Sequence, residues 1–438
     1  MEPGPPPPTD QRHPVKVVVE DDLHRSRLTV FFRLLLAIPH IIWFFIWSFF
    51  AFLISIVNWF ITLIRGRSVE SLHDFFCSYI RYATHLYAYL VLAANPYPGF
   101  TGKPGYPIDV ELPSLERQSR WKTLFRLILA IPALILSSIL VGAPGGGGGG
   151  GRGSTSGSEL EQNDWSNFTI GGVVFVVAFF AWFVCLVRGQ MALGFRDLVA
   201  YALRYNAQTL SFLFLVTDRY PNSDPGEPPA SPPPTDPAIR VRVEDDLRRS
   251  RLTVFFRFLL FLPHLVWFLL WSIAFVFAVV IGWFAALVLG RLPDRLHRFI
   301  GAYVRYAAHL SAYLFLVANP FPGFTGTPGI YPLDIEIDPP ERQSRWKVIF
   351  RFFLAIPALF VSGALGGAVL FVGIFGWFVS LALGRMPEGL RNLGAFEIRY
   401  SSQVYAYLYL LTDRYPFSGP WEFARAAPVP AEPEAAPA

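Results

Sequence analysis

EDDLHRSRLTVFFR, residues 20–33, returns as EDDLRRSRLTVFFR at 244–257, identical at 13 of 14 positions. The copy continues through Pro39/Pro263, Trp59/Trp283, Arg81-Tyr82/Arg305-Tyr306 and the endings NPYPGF (95–100) and NPFPGF (319–324). A second, related unit follows each copy. It opens with ERQSRWKTLFRLILAIPA at 116–133 and ERQSRWKVIFRFFLAIPA at 341–358, and closes on TDRYP at 217–221 and 412–416. Both unit types share one order of strand, Ser-Arg start, Arg, Pro, Trp, Gly at a turn, Arg-aromatic and a Pro-containing stop, so internal duplication organises the chain. The units are A (15–100), B (101–221, with a Gly-rich insert at 142–168), A′ (239–325) and B′ (326–416). A Pro-rich N-terminus (1–14), a Pro-rich linker (222–238) and a Pro/Ala-rich tail (417–438) are expected to be disordered or flexible.

The 438 residues are 53% hydrophobic and 16% charged, with mean hydropathy +0.40. Soluble domains carry about 25% charged residues, so the composition points to an integral membrane protein. The opening MEPGPPPPTDQRHP is unlike a secretory signal. Cys77 and Cys185 both fall in apolar segments, which excludes a disulfide framework or zinc spacing. The net charge of +5 comes from Arg interleaved with apolar helices. That pattern suits lipid headgroups and does not suggest a nucleic-acid partner.

In unit A no formal charge falls between Arg33 and Arg65, a run of 31 residues. As helix it would measure about 46 Å, against a hydrocarbon core of about 30 Å. The insert GAPGGGGGGGRGSTSGSELEQND interrupts unit B where B′ is continuously apolar around Leu365–Gly366. A polar irregular loop cannot face hydrocarbon, so the insertion point belongs at a membrane surface or an aqueous crevice. Each unit is therefore expected to hold three helices, placed in unit A at 26–47 (interfacial), 48–64 and 72–94, the last two forming a transmembrane hairpin. The expected fold is an all-α integral membrane protein of four repeated helical units, with about eight transmembrane helices, four interfacial helices and short cytoplasmic β-strands. Twelve spans are the rival. Eighteen Lys/Arg on the strand side against nine on the hairpin side place both termini in the cytoplasm. Alternation in IRVRVED (239–245) and YPLDIEID (331–338) marks half-buried strands. Their opposite charges predict A-type strands beside B-type strands.

This run of strand, SRL or SRW, Arg, AIP, long apolar helix, GR, amphipathic helix, RY and TDRYP resembles the bacterial membrane family called domain of unknown function 4389. AIPH (37–40) and TDRYP are the most specific pieces. The likeness covers nearly the whole chain outside 1–14, 142–168, 222–238 and 417–438. It implies a bacterial integral membrane protein and carries no activity.

Arg recurs at two positions in every unit: Arg33, Arg126, Arg257 and Arg351 near the start of the long apolar run, and Arg81, Arg204, Arg305 and Arg399 in the last helix. A centred charge costs about 2.5–3.5 kcal/mol on insertion scales, so something must compensate. Anionic lipid headgroups or another anionic ligand are one answer. Helix carbonyls or snorkelling, a purely structural use, are the other. His40, His85, His264 and His309 recur in the A-type units as candidate proton or polar sites. Satisfied structural histidines are the simpler reading, and no metal spacing accompanies them. The Gly run 145–151 lacks the GK[ST] ending of a phosphate loop. Glu20-Asp21-Asp22 and Glu244-Asp245-Asp246 are expected to cap the N-terminus of the next helix and to pair with Arg25/Arg27 or Arg249/Arg251. No catalytic motif and no cofactor fingerprint is present. The expectation is a non-enzymatic polytopic membrane protein that contacts membrane lipids or another membrane protein. A transporter or channel for small solutes or lipid, built from two homologous halves, is the alternative.

Overall fold

A computed structural model describes residues 13–142, 172–226 and 237–420. The expectations for 1–12, for nearly all of the Gly-rich insert, for 227–236 and for 421–438 lie outside the described residues.

Each unit contributes one long apolar helical run and one short helix. In unit A these are α1 (Arg27–Arg65) and α2 (Glu70–Leu90). In unit B the long run is α3 (Arg120–Leu124), α4 (Arg126–Val141) and α5 (Gly172–Arg188), and the short helix is α6 (Leu193–Leu213). Unit A′ has α7 (Arg251–Phe255), α8 (Arg257–Leu289) and α9 (Asp294–Leu314). Unit B′ has α10 (Arg345–Leu383) and α11 (Glu388–Leu408). Ser26, Ser119, Ser250 and Ser344 stand extended at the N-caps. Gly66, Gly189, Gly290 and Gly384 close the long runs in the left-handed region, as glycine at this position can. Among the described residues three helices, α1, α8 and α10, are long and apolar enough to cross a membrane.

The expected division into an interfacial helix and a separate span is corrected. Residues 27–65 form one helix straight through Pro39, and no break falls at 47–48. FFIWSFFAFL (44–53) contains neither Gly nor Pro, so nothing stops propagation; charge-free length by itself carries no break signal. Units B and A′ do interrupt the helix, at Phe125 and Phe256, one turn after its start.

The long runs of A and B are antiparallel neighbours. The Arg25 amide donates to Gly189 O and the Gln118 amide to Gly66 O, both at 2.9 Å. In the second half Arg249 and Gln343 do the same to Gly384 and Gly290. Trp59, Trp182, Trp283 and Trp377 each donate an indole N–H to a backbone carbonyl of the partner run: Thr123, Val30, Val348 and Val254. Those Trp are therefore cross-helix ties. The start of each long run thus lies beside the hairpin end of its neighbour. The expected strand side and hairpin side are consequently not two sides of the molecule, and the Lys/Arg ratio that oriented the termini mixes both ends.

The short helices form the middle of the molecule. On α2, Tyr79, Tyr82 and Tyr89 face α1, whereas Arg81 and His85 reach strand β2 (Ile108–Glu111). On α6, Asn206 bonds Ser137 of α4, and Gln208 bonds Val15, beside strand β1 (Lys16–Val19). Two residues of helix turn the direction by about 200°, so long helices and strands occupy opposite faces of the short-helix layer. The strands pair antiparallel as charge pairing predicts, A with B: Lys16 opposite Glu111, and in the second half β3 (Ile239–Val243) with β4 (Leu333–Ile337), Arg240 opposite Glu336. Arg242 reaches Glu336 at 2.8 Å.

The two halves meet through α10, which packs on α4 and α5. Asn392 of α11 bonds Asp224 at 2.7 Å, and Gly194 of α6 lies against Ser418 and Gly419. The segment that ends each half therefore rests on the short helix of the other half. Residues 222–226, expected to begin a free linker, are part of that packing.

Candidate functional site

The first set of repeated arginines forms one geometry four times. Arg33 Nη1 donates to Tyr89 O (2.7 Å) and Ala94 O (3.0 Å), and its Nη2 reaches Asn95 Oδ1. Arg257 repeats this on Tyr313, Ala318 and Asn319. Arg126 takes Phe212 O, Thr217 O and the Asp218 carboxylate, and Arg351 takes Tyr407 O, Thr412 O and Asp413. Each guanidinium also stacks on the ring of the last-turn aromatic, at 4.4 Å for Tyr89 and Tyr313. All four are almost fully buried. They sit at short-helix C-termini, where orphan carbonyls and the negative end of the helix dipole both favour a cation.

The chain turns there through Leu92, Leu215, Leu316 and Leu410, each with φ between 62° and 68°. A left-handed leucine is strained. Arg25 and Arg249 bond the carbonyls of these turns and pair with Asp21 and Asp245, as expected; Gln118 and Gln343 take the same place in the B-type units. The expected helix capping by those acids is corrected: Asp21, Asp22, Asp245 and Asp246 accept from the amides of Leu23, His24, Leu247 and Arg248, ahead of the helices.

The second set joins the short helices to the strand layer and to the chain ends. Arg81 Nε lies 3.4 Å from Asp109 Oδ1 and bonds Val110 O; His85 Nε2 lies 2.9 Å from the same carboxylate oxygen. Arg305 and His309 repeat this with Asp334 at 3.3 and 3.0 Å. Burial alone would raise the Asp109 carboxyl, but bonds from His85 and from the Gly105 and Val110 amides outweigh it, and the group stays below its ordinary value. Asp334 is held low in the same way by His309, Gly329 and Ile335. Arg204 and Arg399 donate instead to Asp224 O and Gly419 O.

His40 and His85 are not brought together. His40 Nδ1 sits 3.0 Å from Tyr82 Oη, and its ring stacks on Phe100 at 4.1 Å. His264 repeats this against Tyr306 and Phe324. Among the described residues no group of His, Cys, Asp and Glu could hold a metal ion. The partners that the sequence reading passed over are Asn95, Asn319, Asp218 and Asp413, and the strand aspartates Asp109 and Asp334. Their signal was available: LAAN (92–95), LVTD (215–218), LVAN (316–319) and LLTD (410–413) put Asn or Asp at one fixed place after every short helix. Asp197 was also missed; it is a buried carboxylate within α6, paired with Arg196 at 2.7 Å.

The class this defines is a mostly helical protein with small sheets, whose repeated arginines close its own short helices and whose outer surface is apolar. The family model described as Domain of unknown function (DUF4389) matches residues 27–101, 169–223, 251–325 and 345–419, consistent with four tandem related units. The chain belongs to that family. No curated protein and no solved structure matches it.

Proposed function

We propose that this chain is a non-enzymatic membrane protein whose long helices contact lipid acyl chains and whose exposed cations engage anionic headgroups. The observation that carries this reading is the outer surface of the long helices. On α1 alone Leu28, Leu34, Phe45, Phe52, Val57 and Ile64 are each more than half exposed. Contiguous apolar surface of that extent marks a membrane or partner interface. The eight repeated arginines have internal acceptors, so the headgroup contacts fall to other cations: Arg27, Arg65, Arg67, Arg117, Arg120 and Arg188 are all exposed at the ends of the long helices. Flotation with vesicles tests this. The protein should bind phosphatidylcholine vesicles and bind more tightly when phosphatidylglycerol is added. Arg67→Gln, Arg117→Gln and Arg188→Gln combined should remove only the phosphatidylglycerol gain. A protein that stays in solution with both vesicle types refutes the reading.

One observation favours the transport alternative. A groove of about 400 Å³ lies between α8, α9 and α11, lined by Phe261, Leu265, Phe268, Ser311, Ser401 and Tyr405. Protein-dependent flux of a lipid or small solute across proteoliposomes, lost when Ser401→Trp fills the groove, would support it.

A further inference from the structure

We propose that the four long helices lie along the plane of one membrane leaflet, apolar faces toward the acyl chains, and do not cross the bilayer. This rests on the membrane reading above, and four observations carry it.

The first is the site of the insert. Unit B aligns with B′ at an offset of 225 residues up to Val141 and 195 from Gly172 onward, so the insert splits the equivalent of α10 between Gly366 and Gly367. Gly142 and Gly172 are in contact, and Ile139 lies against Gly367 of α10. α4 and α5 together are thus one long helix opened at its midpoint. Past the break at Phe125 its two parts, α4 of 16 and α5 of 17 residues, measure about 24 and 26 Å; α5 falls short of a core of about 30 Å, and α4 reaches that length only with α3 before it. In a crossing helix that midpoint, where the backbone opens between Gly142 and Gly172, would lie near the bilayer centre. Irregular backbone facing hydrocarbon is not tolerated. A helix lying in the interface keeps its midpoint at headgroup depth.

The second is the strand layer. Lys16, Glu111, Arg242 and Glu336 belong to strands that rest on the short helices from their middle into their C-terminal half, at Arg81, His85, Gln208 and Gln403. The short helices run alongside the long ones. Upright helices would hold this charged layer at mid-bilayer depth; flat helices hold it in water.

The third is charge. Because neighbouring long runs are antiparallel, exposed cations stand at both ends: Arg27 and Arg188 at one, Arg67 and Arg120 at the other. A crossing arrangement would place comparable positive charge on both membrane faces, against the usual asymmetry. A flat one puts every cation at a single headgroup level.

The fourth is the outermost stripe. Phe175, Phe179, Phe183 and Val187 on α5, and Phe360, Ile374 and Phe378 on α10, are exposed along the helices with no charged residue among them. An in-plane amphipathic arrangement presents such a face to acyl chains.

Polarised infrared dichroism of the unsubstituted protein in oriented phosphatidylcholine/phosphatidylglycerol bilayers tests this without any mutation. The helix axes are expected near the membrane plane, and axes near the normal overturn the inference. Depth is read separately from bimane on single cysteines at Leu34, Phe45, Phe52 and Ile64, with spin labels placed near the headgroup or near the chain end. A flat helix gives the same shallow-to-deep quenching ratio at Leu34, Phe45 and Phe52, which share one helix face. Deep quenching at 45 and 52 with shallow quenching at 34 and 64 overturns it. Vesicle flotation reports the membrane reading independently, so a protein that floats but stands upright refutes only this inference.

Discussion

Replacing Arg351 with Met tests whether the repeated arginines hold the short helices, because the structure predicts different costs in the two unit types. Arg351 Nη1 donates to Tyr407 O at 2.6 Å and Thr412 O at 2.9 Å, and Nη2 to Asp413 Oδ1 at 2.7 Å. Its removal takes a donor from the last-turn carbonyl of Tyr407 and from the turn carbonyl of Thr412, and a buried ion-pair partner from a carboxylate whose side chain is 15% exposed. Breaking a buried ion pair from one side costs about 3–5 kcal/mol. Lys347 stays 3.2 Å from Asp413 but is half exposed, so the lower end, about 3 kcal/mol, is expected. Arg33→Met removes the same two carbonyl contacts, but its third partner is the neutral Asn95 at 3.4 Å. Only neutral acceptors lose a donor there, and Tyr89 O keeps the Leu92 amide at 3.1 Å, so the cost is about 1–3 kcal/mol.

Unfolding titrations in mixed micelles, followed by circular dichroism, should therefore rank Arg351→Met as the more damaging. Adding Asp413→Asn to it supplies the residue found in the A-type units and should recover about 1–2 kcal/mol, since no charge is left unpaired. The reasoning fails if Arg33→Met costs as much as Arg351→Met. It fails equally if Asp413→Asn adds to the loss.

Asp109 and Asp334 keep low carboxyl values in the folded protein, so their contribution is complete above the unfolded value of about 4 and is lost as pH falls through the folded value. Thermal melts in detergent should show wild type losing stability on acidification below that point, and Asp109→Asn/Asp334→Asn starting lower and losing less. Gly102 and Gly326 stand at φ 63° and 59°, where a Cβ would collide with Ser78 O and Ala302 O; Gly102→Ala should cost about 1–3 kcal/mol in the same melts. Deleting residues 142–171 should rejoin α4 and α5 as one helix like α10, with circular dichroism showing no loss of helix and flotation unchanged.

Some of this was legible in the chain. Alternation of apolar and charged residues in IRVRV and LDIEI reports a strand with one buried face, and opposite charges report which strand lies opposite; both are local properties. The partners of Arg33 and Arg351 were not legible in the same way. Their acceptors are carbonyls that every residue carries, freed only because a helix ends at that point, and the guanidinium meets them 56 residues away in sequence. The Asn or Asp that completes each set could have been found from its fixed place after the short helix. His40 and His85 share a unit, yet they point from different helices to different neighbours, Tyr82 and Asp109, which their recurrence in the chain does not show.

The sequence by itself determined the apolar character, the duplication and the glycine at which each long run stops, because hydropathy, repetition and Gly stops are written residue by residue. Only the tertiary structure decided that neighbouring long runs are antiparallel, that strands and long helices take opposite faces of the short ones, and that the insert opens a helix at its middle. Near-identical units carry the same local pattern whichever way they point, so direction is fixed by which side chains meet across units. The Trp-to-carbonyl ties between antiparallel runs make that choice here.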